Sequence, residues 1–402
     1  MKKLKIVSVF EKYKKAIALS VVLLMAVASL FIHQRNTHDW GGDFGMYLQQ
    51  AENIATGQDI SNSYYIFNPD YAVLGPRHYP AGFPMLLTPL FVSGNANIEQ
   101  ILFLMGIFLA LYGLAGFLFF RNKASELVAV GLAFVLLFNH WLLQIKTQIL
   151  ADLPFALFFV LSIYFLQQKK RFLIPAILTV SFAILIKSAG WIIPVALLIE
   201  TVLNFIRKRK FSWEKEKRNL IIIASVAALL LTINKLILQI PGGTSLYANH
   251  FSISNLWENI NTSAEYLMKV AAQFMNPYNE NFTAVTFILK TLFVAFMFLG
   301  MFRRIPNRFR TFDIITFAYL LLLLIYPYHA AGIRFLLPIL PVLLYYAVEG
   351  TRMLSLETRT KKVVGIMVFL ALALLYLGPV VRMEQRESQA KDGPYTKESK
   401  DL

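Results

Sequence analysis

The sequence predicts an all-α membrane protein, a polytopic bundle of about eleven transmembrane helices, and two observations carry this prediction. Of the 402 residues, 57% are hydrophobic and 15% are charged, whereas soluble globular proteins contain about 45–50% apolar and about 25% charged residues. The apolar residues also recur in runs along the whole chain, and many runs approach the roughly 20 residues that cross a bilayer. We therefore expect one membrane domain over residues 1–381, followed by a polar tail at 382–402 whose composition is typical of disorder.

Eleven apolar runs are the candidate spans. They cover residues 16–32, 98–120, 127–143, 153–166, 172–186, 191–205, 220–240, 284–302, 314–328, 335–348 and 363–381. Several are only about 14–16 residues long, so these spans need flanking residues or shielding by the protein. Lys187 separates two of the runs, which are either two helices or one broken helix. The basic N-terminus also fits a signal peptide, but the many later spans favour an uncleaved first helix.

Lysine and arginine are distributed unevenly between alternate loops. With the N-terminus inside, the cytoplasmic segments are 1–15, 121–126, 167–171, 206–219, 303–313 and 349–362, and they contain 26 of the 39 basic residues. The long loops 33–97 and 241–283 contain only Arg35, Arg77 and Lys269. Because basic residues are retained on the cytoplasmic side, we expect a cytoplasmic N-terminus, external long loops and a location in the cell inner (cytoplasmic) membrane.

The composition also excludes several classes of function. The chain has no cysteine, which excludes disulfides, cysteine zinc sites, iron–sulfur clusters and a cysteine nucleophile. The net charge of +16 is of the sign that attracts nucleic acid, but the orientation rule already explains its location in short loops. Membrane lipids are therefore the expected surroundings, and no nucleic acid partner is expected.

The first long loop opens with a predicted amphipathic helix. Apolar side chains recur at helical spacing at Phe44, Tyr47, Leu48, Ala51, Ile54 and Ala55, and Gly57 ends the pattern. Such a helix beside a membrane lies at its interface. Asp43 stands at its start, where it is either an N-cap or a carboxylate held at the membrane surface for chemistry. The two interpretations are compatible, because capping would also fix the position of the carboxylate.

The remainder of the external loops is less regular. Pro76-Arg77-His78-Tyr79-Pro80-Ala81-Gly82-Phe83-Pro84 is so rich in proline and glycine that it predicts irregular structure rather than helix, continuing into the apolar residues 85–91. The loop 241–283 contains a second amphipathic pattern, formed by Leu256, Ile260, Ala264, Leu267, Ala271 and Phe274. This pattern predicts another external interfacial helix before the eighth span.

Ionisable residues at membrane depth mark functional sites by default, because burying their charge is costly. On the predicted topology, those toward the external ends of spans are Lys146, Asp152, Lys187, Lys235 and Arg334. Each also has a structural interpretation, since Asp152 can cap the helix that Pro154 begins and the cations can reach the headgroups. Cations beside carboxylates on one face would suit an anionic group at the membrane surface, such as a lipid-linked phosphate.

Four segments together resemble the GT-C superfamily, specifically the bacterial branch of the protein O-mannosyltransferase and aminoarabinose transferase family (glycosyltransferase family 39-like). They are Gly42-Asp43-Phe44 with Tyr79-Pro80-Ala81-Gly82-Phe83-Pro84, Ala151-Asp152-Leu153-Pro154-Phe155, Ile186-Lys187-Ser188-Ala189-Gly190, and Arg334-Phe335-Leu336-Leu337-Pro338. The resemblance rests on their order and predicted sidedness. It departs from the family where the proline-proline-glycine loop reads Pro80-Ala81-Gly82 and where Lys187 replaces the usual arginine.

The resemblance implies an inverting glycosyltransferase that moves a sugar from a polyprenyl-phosphate donor to an acceptor hydroxyl at the external (periplasmic) face. The acceptor would be a glycan, lipid or protein of cell-envelope synthesis. A hydroxyl nucleophile needs a carboxylate base, and a departing phosphate needs positive charge. Asp43 is the implied catalytic base, and Lys187 and Arg334 would bind the donor phosphate. Asp152 is the second catalytic candidate, which would bind the acceptor, orient a cation or assist the base. The additional candidates for substrate binding are Arg77, His78, Tyr79, Glu52 and Lys146.

No cofactor and no metal site are predicted, although a divalent cation is compatible with this chemistry. Glu52, Asp70 and His78 are the weaker candidates to hold one. Two other functions remain open at this point. A lipid or glycan transporter would also use many spans and buried charges, but no internal repeat is evident and the polar residues gather at external ends rather than at the midplane. A membrane protein of structural or assembly function without catalysis is the third alternative.

Overall fold

The computed structural model describes residues 2–35, 43–60, 62, 80–92, 94, 96–168, 172–208, 213–233, 256–274, 284–305, 310–325, 332–353, 378, 380 and 381. Within these ranges, all regular secondary structure is helical. This agrees with the predicted all-α class. The polar tail 382–402 and the segment 63–79, which includes Asp70, Arg77, His78 and Tyr79, lie outside the described residues.

Fourteen α-helices and two short 3₁₀ helices follow one another in this part of the chain. The α-helices are α1 (Lys2–Phe31), α2 (Phe44–Thr56), α3 (Gly82–Val92), α4 (Ile98–Arg121), α5 (Glu126–Phe138), α6 (His140–Lys146), α7 (Asp152–Leu166), α8 (Leu173–Ile186), α9 (Ile192–Lys208), α10 (Trp213–Ile233), α11 (Leu256–Phe274), α12 (Ala284–Arg304), α13 (Thr311–Ile325) and α14 (Leu340–Thr351). The 3₁₀ helices cover Ser188–Trp191 and Gly332–Leu336.

Within the described residues the predicted spans are mostly helical, with non-helical breaks at residue 139 and at 337–339, and their number is not confirmed. By length and composition, three helical segments in the described ranges can cross a membrane: Tyr13–Phe31, Ile98–Arg121 and Ser188–Ile206. The pair α5 and α6, bent by 51°, is a fourth if it forms one span. Helices α3, α7, α8 and α13 are apolar but shorter. The eleventh predicted span, 363–381, lies almost wholly outside the described residues.

Helix α4 lies at the centre of the bundle, in contact with α1, α5, α6, α7 and α14. Glycines allow the closest helix pairs. A Cβ on Gly300 of α12 would overlap the carbonyl oxygen of Tyr346, and a Cβ on Gly350 of α14 would overlap that of Phe296. Small residues of this kind let helix backbones approach closely inside a membrane, where dispersion contacts hold helices together.

Of the three helices described in the predicted external loops, the sequence predicts α2 and α11 but not α3. Helix α2 begins and ends where the apolar spacing indicates, and Gly57 closes it with a left-handed φ of 70°. A helix also covers the second amphipathic pattern, from Leu256 to Phe274. The prediction of irregular structure through residue 91 is wrong, because α3 begins at Gly82. Pro84 falls in its first turn, where backbone N–H groups have no helical acceptor, and Pro89 removes only one later donor.

One end of the bundle contains a buried network of ion pairs, which we call the Arg304 cluster: Arg304, Asp313, Tyr345, Tyr346, Glu349 and Arg352. Two guanidinium nitrogens of Arg304 each lie 2.9 Å from a carboxylate oxygen of Asp313, and Arg304 also donates to the hydroxyl of Tyr345 at 3.0 Å. That hydroxyl donates to Glu349, which accepts a second bond from Arg352. The cluster therefore joins the ends of α12, α13 and α14.

The segments predicted to be cytoplasmic meet at this same end. The amine of Lys123, in the turn after α4, lies 2.6 Å from the side-chain oxygen of Gln167, directly after α7. Arg352 donates to the carbonyl of Lys123, and Arg218 donates to the carbonyls of Gln168 and Phe165. The grouping is the one that the basic-residue pattern requires, while the side of the membrane that this end faces stays a prediction.

Candidate functional site

The opposite end of α7 carries an ion pair between Asp152 and Lys187. Asp152 is the first residue of α7, where the helix dipole favours a carboxylate. Lys187 follows the last residue of α8 and has extended backbone angles, φ −145° and ψ 136°, so that it ends the helix. Because α7 packs along α8, the amine of Lys187 lies 2.7 Å from a carboxylate oxygen of Asp152. The carboxyl side chain is 7% exposed and the lysine side chain 25%.

Arg334 adds a second cation to this pair. It lies in the 3₁₀ helix Gly332–Leu336, which packs on α7, and its charge acts on Asp152 together with that of Lys187. The amine of Lys187 is 5.7 Å from the centre of the Phe335 ring, which places the two cations on neighbouring segments. We call Asp152, Lys187 and Arg334 the Lys187 cluster. The cluster thus brings two cations and one carboxylate together.

Two buried tyrosines, which the sequence did not single out, hold the segment that carries Arg334. The hydroxyl of Tyr319 in α13 donates to the carbonyl oxygen of Phe335 at 3.1 Å. The hydroxyl of Tyr112 in α4 donates to the carbonyl oxygen of Leu337 at 2.8 Å. A tyrosine in an apolar span needs a partner for its hydroxyl, and that need was the available signal. The two bonds fix the backbone that directly follows the arginine.

Helix α3 packs against the residues that precede Lys187 in α8. The backbone of α8 comes so close to Gly82 that a Cβ there would lie 2.6 Å from the amide nitrogen of Ile186. Gly190, which follows Lys187 in the chain, comes similarly close to the backbone of α8. A Cβ added there would lie 2.7 Å from the amide nitrogen of Ile184. Glycine is thus required at both positions for the chain to fold around Lys187.

Asp43 is joined to this arrangement through α2 and α3. One turn after Asp43, the ring of Tyr47 packs edge-on against Phe83 with centres 5.0 Å apart, and Phe83 is the neighbour of Gly82. The side chain of Asp43 makes no capping hydrogen bond to α2. The interpretation of Asp43 as a side-chain N-cap is therefore not supported, and the residue is partly exposed.

The remaining candidates are placed differently. Lys146 is 2% exposed and donates to the carbonyls of Ser29 at 2.7 Å and Leu30 at 3.2 Å. These carbonyls belong to the last turn of α1 and lack partners within the helix. Their bonds to Lys146 explain why its amine can be buried, so no substrate contact is needed to explain it. Glu52 is exposed on α2. Among the described residues, no group of three or more His, Asp or Glu side chains is arranged to hold a metal ion.

The fold of the chain is similar to those of two solved oligosaccharyltransferase structures and of ArnT. Over 94% of its length it matches a crystal structure of the Archaeoglobus fulgidus oligosaccharyltransferase tethered with an acceptor peptide containing the NVT sequon, with a TM-score of 0.55 and 15% identity. AglB of the same organism, in complex with an inhibitory peptide and a dolichol-phosphate, matches over 94% with a TM-score of 0.53 and 14% identity. ArnT from Cupriavidus metallidurans, bound to undecaprenyl phosphate, matches over 90% with a TM-score of 0.51 and 16% identity.

These similarities concern the fold, and the chain is shorter than the structures it matches. It spans 55%, 56% and 64% of their lengths, respectively. The search of curated proteins found no match. The family model described as predicted membrane protein (DUF2079) matches residues 41–401.

Proposed function

The chain belongs to the DUF2079 family of predicted membrane proteins, and from its GT-C fold and the Lys187 cluster we propose that it is an inverting glycosyltransferase. The proposed reaction moves a sugar from a polyprenyl-phosphate donor to an acceptor hydroxyl at the external face of the inner membrane. The acceptor is a glycan, lipid or protein of the cell envelope. Two of the matched structures hold a dolichol-phosphate or undecaprenyl phosphate, which supports a lipid phosphate as the donor group.

The single observation that carries the proposal is the grouping of two cations, Lys187 and Arg334, around the carboxyl of Asp152. Asp152 pairs with Lys187 at 2.7 Å, and Arg334 lies on an adjoining segment held by two tyrosine hydroxyls. A phosphate placed there would meet the partly exposed amine and guanidinium of the two cations. Preorganised cations of this kind stabilise the charge that grows on a leaving group.

The proposed mechanism is a single displacement. The oxygen of the acceptor hydroxyl forms a bond to the anomeric carbon while the bond from that carbon to the phosphate oxygen breaks. The bonding electrons leave with the polyprenyl phosphate, and the hydroxyl proton passes to Asp43. Lys187 and Arg334 hold the departing phosphate, and Asp152 keeps the amine of Lys187 in place. Attack from the face opposite the phosphate gives inversion.

Asp43 is proposed as the base because it lies at the start of α2, which packs on α3, and α3 in turn packs on α8 next to Lys187. Its side chain makes no capping hydrogen bond to α2. A general base must approach the reacting hydroxyl to about 3 Å, and a partly exposed carboxylate on an interfacial helix can meet an acceptor arriving from outside. Asp152 is already paired with Lys187, so its proposed part is to orient the lysine.

The test is transfer by the purified protein in lipid nanodiscs. The protein is incubated with a panel of polyprenyl-phosphate sugars and an extract of envelope acceptors, and release of the free polyprenyl phosphate is measured. We expect release with at least one donor and its loss in Lys187→Ala. Donor movement between leaflets without release of the lipid phosphate would instead identify a transporter.

Sidedness is tested separately. Because the chain has no cysteine, single cysteines can be introduced at positions 52 and 303 and labelled in whole cells with a reagent that does not cross the inner membrane. We expect labelling at 52 and protection at 303. The reverse pattern would place the Lys187 cluster on the cytoplasmic side and overturn the external active site.

A further inference from the structure

A second group of cations lies beside the Arg304 cluster, at the opposite end of α7 from the candidate active site. We call Lys123, Arg303 and Arg310 the Lys123 rim. Helix α7 has 15 residues, so its two ends are separated by about 22 Å at a rise of 1.5 Å per residue. The rim is therefore a distinct surface, and its interpretation does not depend on the proposed transferase activity.

Lys123 is held in place by neutral groups. Its amine donates to Gln167 at 2.6 Å and lies over two aromatic rings, 4.0 Å from the centre of Phe119 and 4.9 Å from that of Phe312. The charged groups that act on this amine are Arg310, Arg304 and Asp313. Burial together with the two arginines lowers the pKa of Lys123 to about 7, while Asp313 opposes the shift.

The nearby carboxylates are already committed to other cations. Asp313 pairs through both oxygens with Arg304, and Glu349 accepts from Arg352. Within the described residues, the two carboxylates of the Arg304 cluster thus balance its own two arginines and leave the rim uncompensated. Arg310 is exposed and Arg303 is partly exposed, so an anion can reach both.

Exposed apolar side chains flank these cations. Phe302 is 60% exposed, Ile305 43% and Met353 51%, and they are chain neighbours of Arg303, Arg304 and Arg352. Cations beside exposed apolar side chains, at the ends of membrane helices, match a molecule with a phosphate and acyl chains. A free phosphate would satisfy the cations alone.

We infer that the Lys123 rim binds the phosphate of an anionic phospholipid in the adjoining leaflet. Basic surfaces at the cytoplasmic ends of membrane helices attract anionic headgroups, by about 1 kcal/mol for each Lys or Arg near the surface, which corresponds to about a fivefold change in affinity. The acyl chains of the bound lipid pack on the flanking apolar side chains, so the lipid seals the ends of α12 and α14.

The binding has a pH signature. A phosphate beside Lys123 favours its charged form, so binding above pH 7 takes up a proton and is weaker at pH 8 than at pH 6. The diester phosphate of phosphatidylglycerol remains charged over this range. The change in affinity therefore reports on Lys123, and arginine at this position should bind without the pH dependence.

The experiment titrates the full-length, delipidated protein in neutral detergent with dioctanoyl phosphatidylglycerol, dioctanoyl phosphatidylcholine and inorganic phosphate at pH 6 and pH 8. We expect preference for phosphatidylglycerol, about fivefold weaker binding at pH 6 in Lys123→Gln and in Arg310→Gln, and retained pH-independent binding in Lys123→Arg. Arg121→Gln is the matched control, since Arg121 ends α4 at the same end of the bundle but lies over the ring of Phe117 and is not among the charges that act on Lys123.

Three results would overturn the inference. One is equal affinity for the two phospholipids, and another is wild-type binding by Lys123→Gln and Arg310→Gln. The third is binding of inorganic phosphate as tight as that of phosphatidylglycerol, which would assign the rim to a free phosphate. A thermal melt of each variant accompanies the titrations, and Lys123→Arg keeps the test decisive if Lys123→Gln fails to fold.

Discussion

The two ends of α7 hold two clusters of ion-paired side chains that differ in how far their charged groups are exposed. In the Arg304 cluster, Arg304 and Asp313 are 4% and 1% exposed and bind each other through two hydrogen bonds. In the Lys187 cluster, a lysine that is 25% exposed meets the carboxyl of Asp152 through one, and Arg334 adds a further positive charge. A fully buried ion pair holds helices together, whereas partly exposed cations remain accessible to an ion of opposite sign.

The difference in exposure agrees with this division of roles. Burying a charge is costly unless a partner and further hydrogen bonds compensate it, and the hydroxyls of Tyr345 and Tyr346 supply such bonds to Arg304 and Asp313. The Lys187 cluster is built from the ends of helices and a 3₁₀ segment, and Lys187 and Arg334 are partly exposed there. Variants at the two ends should therefore fail in different assays.

The largest effect is expected for Asp43→Asn, which should lower transfer by about 10²–10⁴-fold because an amide cannot accept the hydroxyl proton. Folding and donor binding should persist, since the side chain of Asp43 makes no capping bond that the change could remove. Rates come from release of polyprenyl phosphate, and donor binding from a titration with the same lipid.

Asp43→Glu is the control, because it restores a base at a slightly different distance and should recover part of the rate. Near-normal transfer by Asp43→Asn would contradict the assignment. The search for a base would then move to Asp152.

The second prediction concerns the Arg304 cluster. Asp313→Asn should lower the free energy of unfolding by about 3–5 kcal/mol, because it leaves the buried charge of Arg304 without its carboxylate. The measurement is a thermal or denaturant melt in nanodiscs. The protein that stays folded should transfer sugar at the wild-type rate per molecule, and a selective loss of rate would mean that the two ends are functionally coupled.

The third prediction concerns the Lys187 cluster. Arg334→Ala should weaken donor binding by about 10–100-fold, the range expected for losing charged hydrogen bonds to a phosphate. Because Arg334 is partly exposed, its melt should change little. Arg303→Ala, at the other end, is the matched control for total charge. An Arg334→Ala protein that binds the donor as wild type does would remove Arg334 from the site.

The sequence predicted one cluster better than the other, for a physical reason. Asp152, Lys187 and Arg334 are rare charges in apolar surroundings, so each stands out singly. Asp313 and Glu349 are ordinary residues of loops and helix ends in the sequence, and their pairing depends on how α12, α13 and α14 pack. Helix α2 was predicted correctly because its period and Gly57 are local signals.

The sequence does not predict helix α3, because the density of proline and glycine before it indicates irregular structure. A proline in the first turn costs a helix nothing, and the close approach of Gly82 to Ile186 depends on packing that sequence spacing does not reveal. Tyr319 and Tyr112 were missed for a related reason. Their bonds join residues far apart in the chain, to carbonyls of a segment whose own structure is not periodic.

The smallest expected effect is that of Tyr319→Phe, which we compare with Tyr345→Phe in the other cluster. Tyr319→Phe removes one hydroxyl, and with it the bond to the carbonyl oxygen of Phe335. A bond of this kind contributes about 0.5–1.5 kcal/mol. We therefore expect a modest loss of stability and a weakening of donor binding by about 2–10-fold, since the backbone beside Arg334 is no longer fixed. Tyr345→Phe removes a comparable buried hydroxyl from the Arg304 cluster and should lower stability without changing donor binding. If both variants lose stability and neither changes the donor affinity, Tyr319 is a structural residue only, and the position of Arg334 is set by Tyr112 and packing.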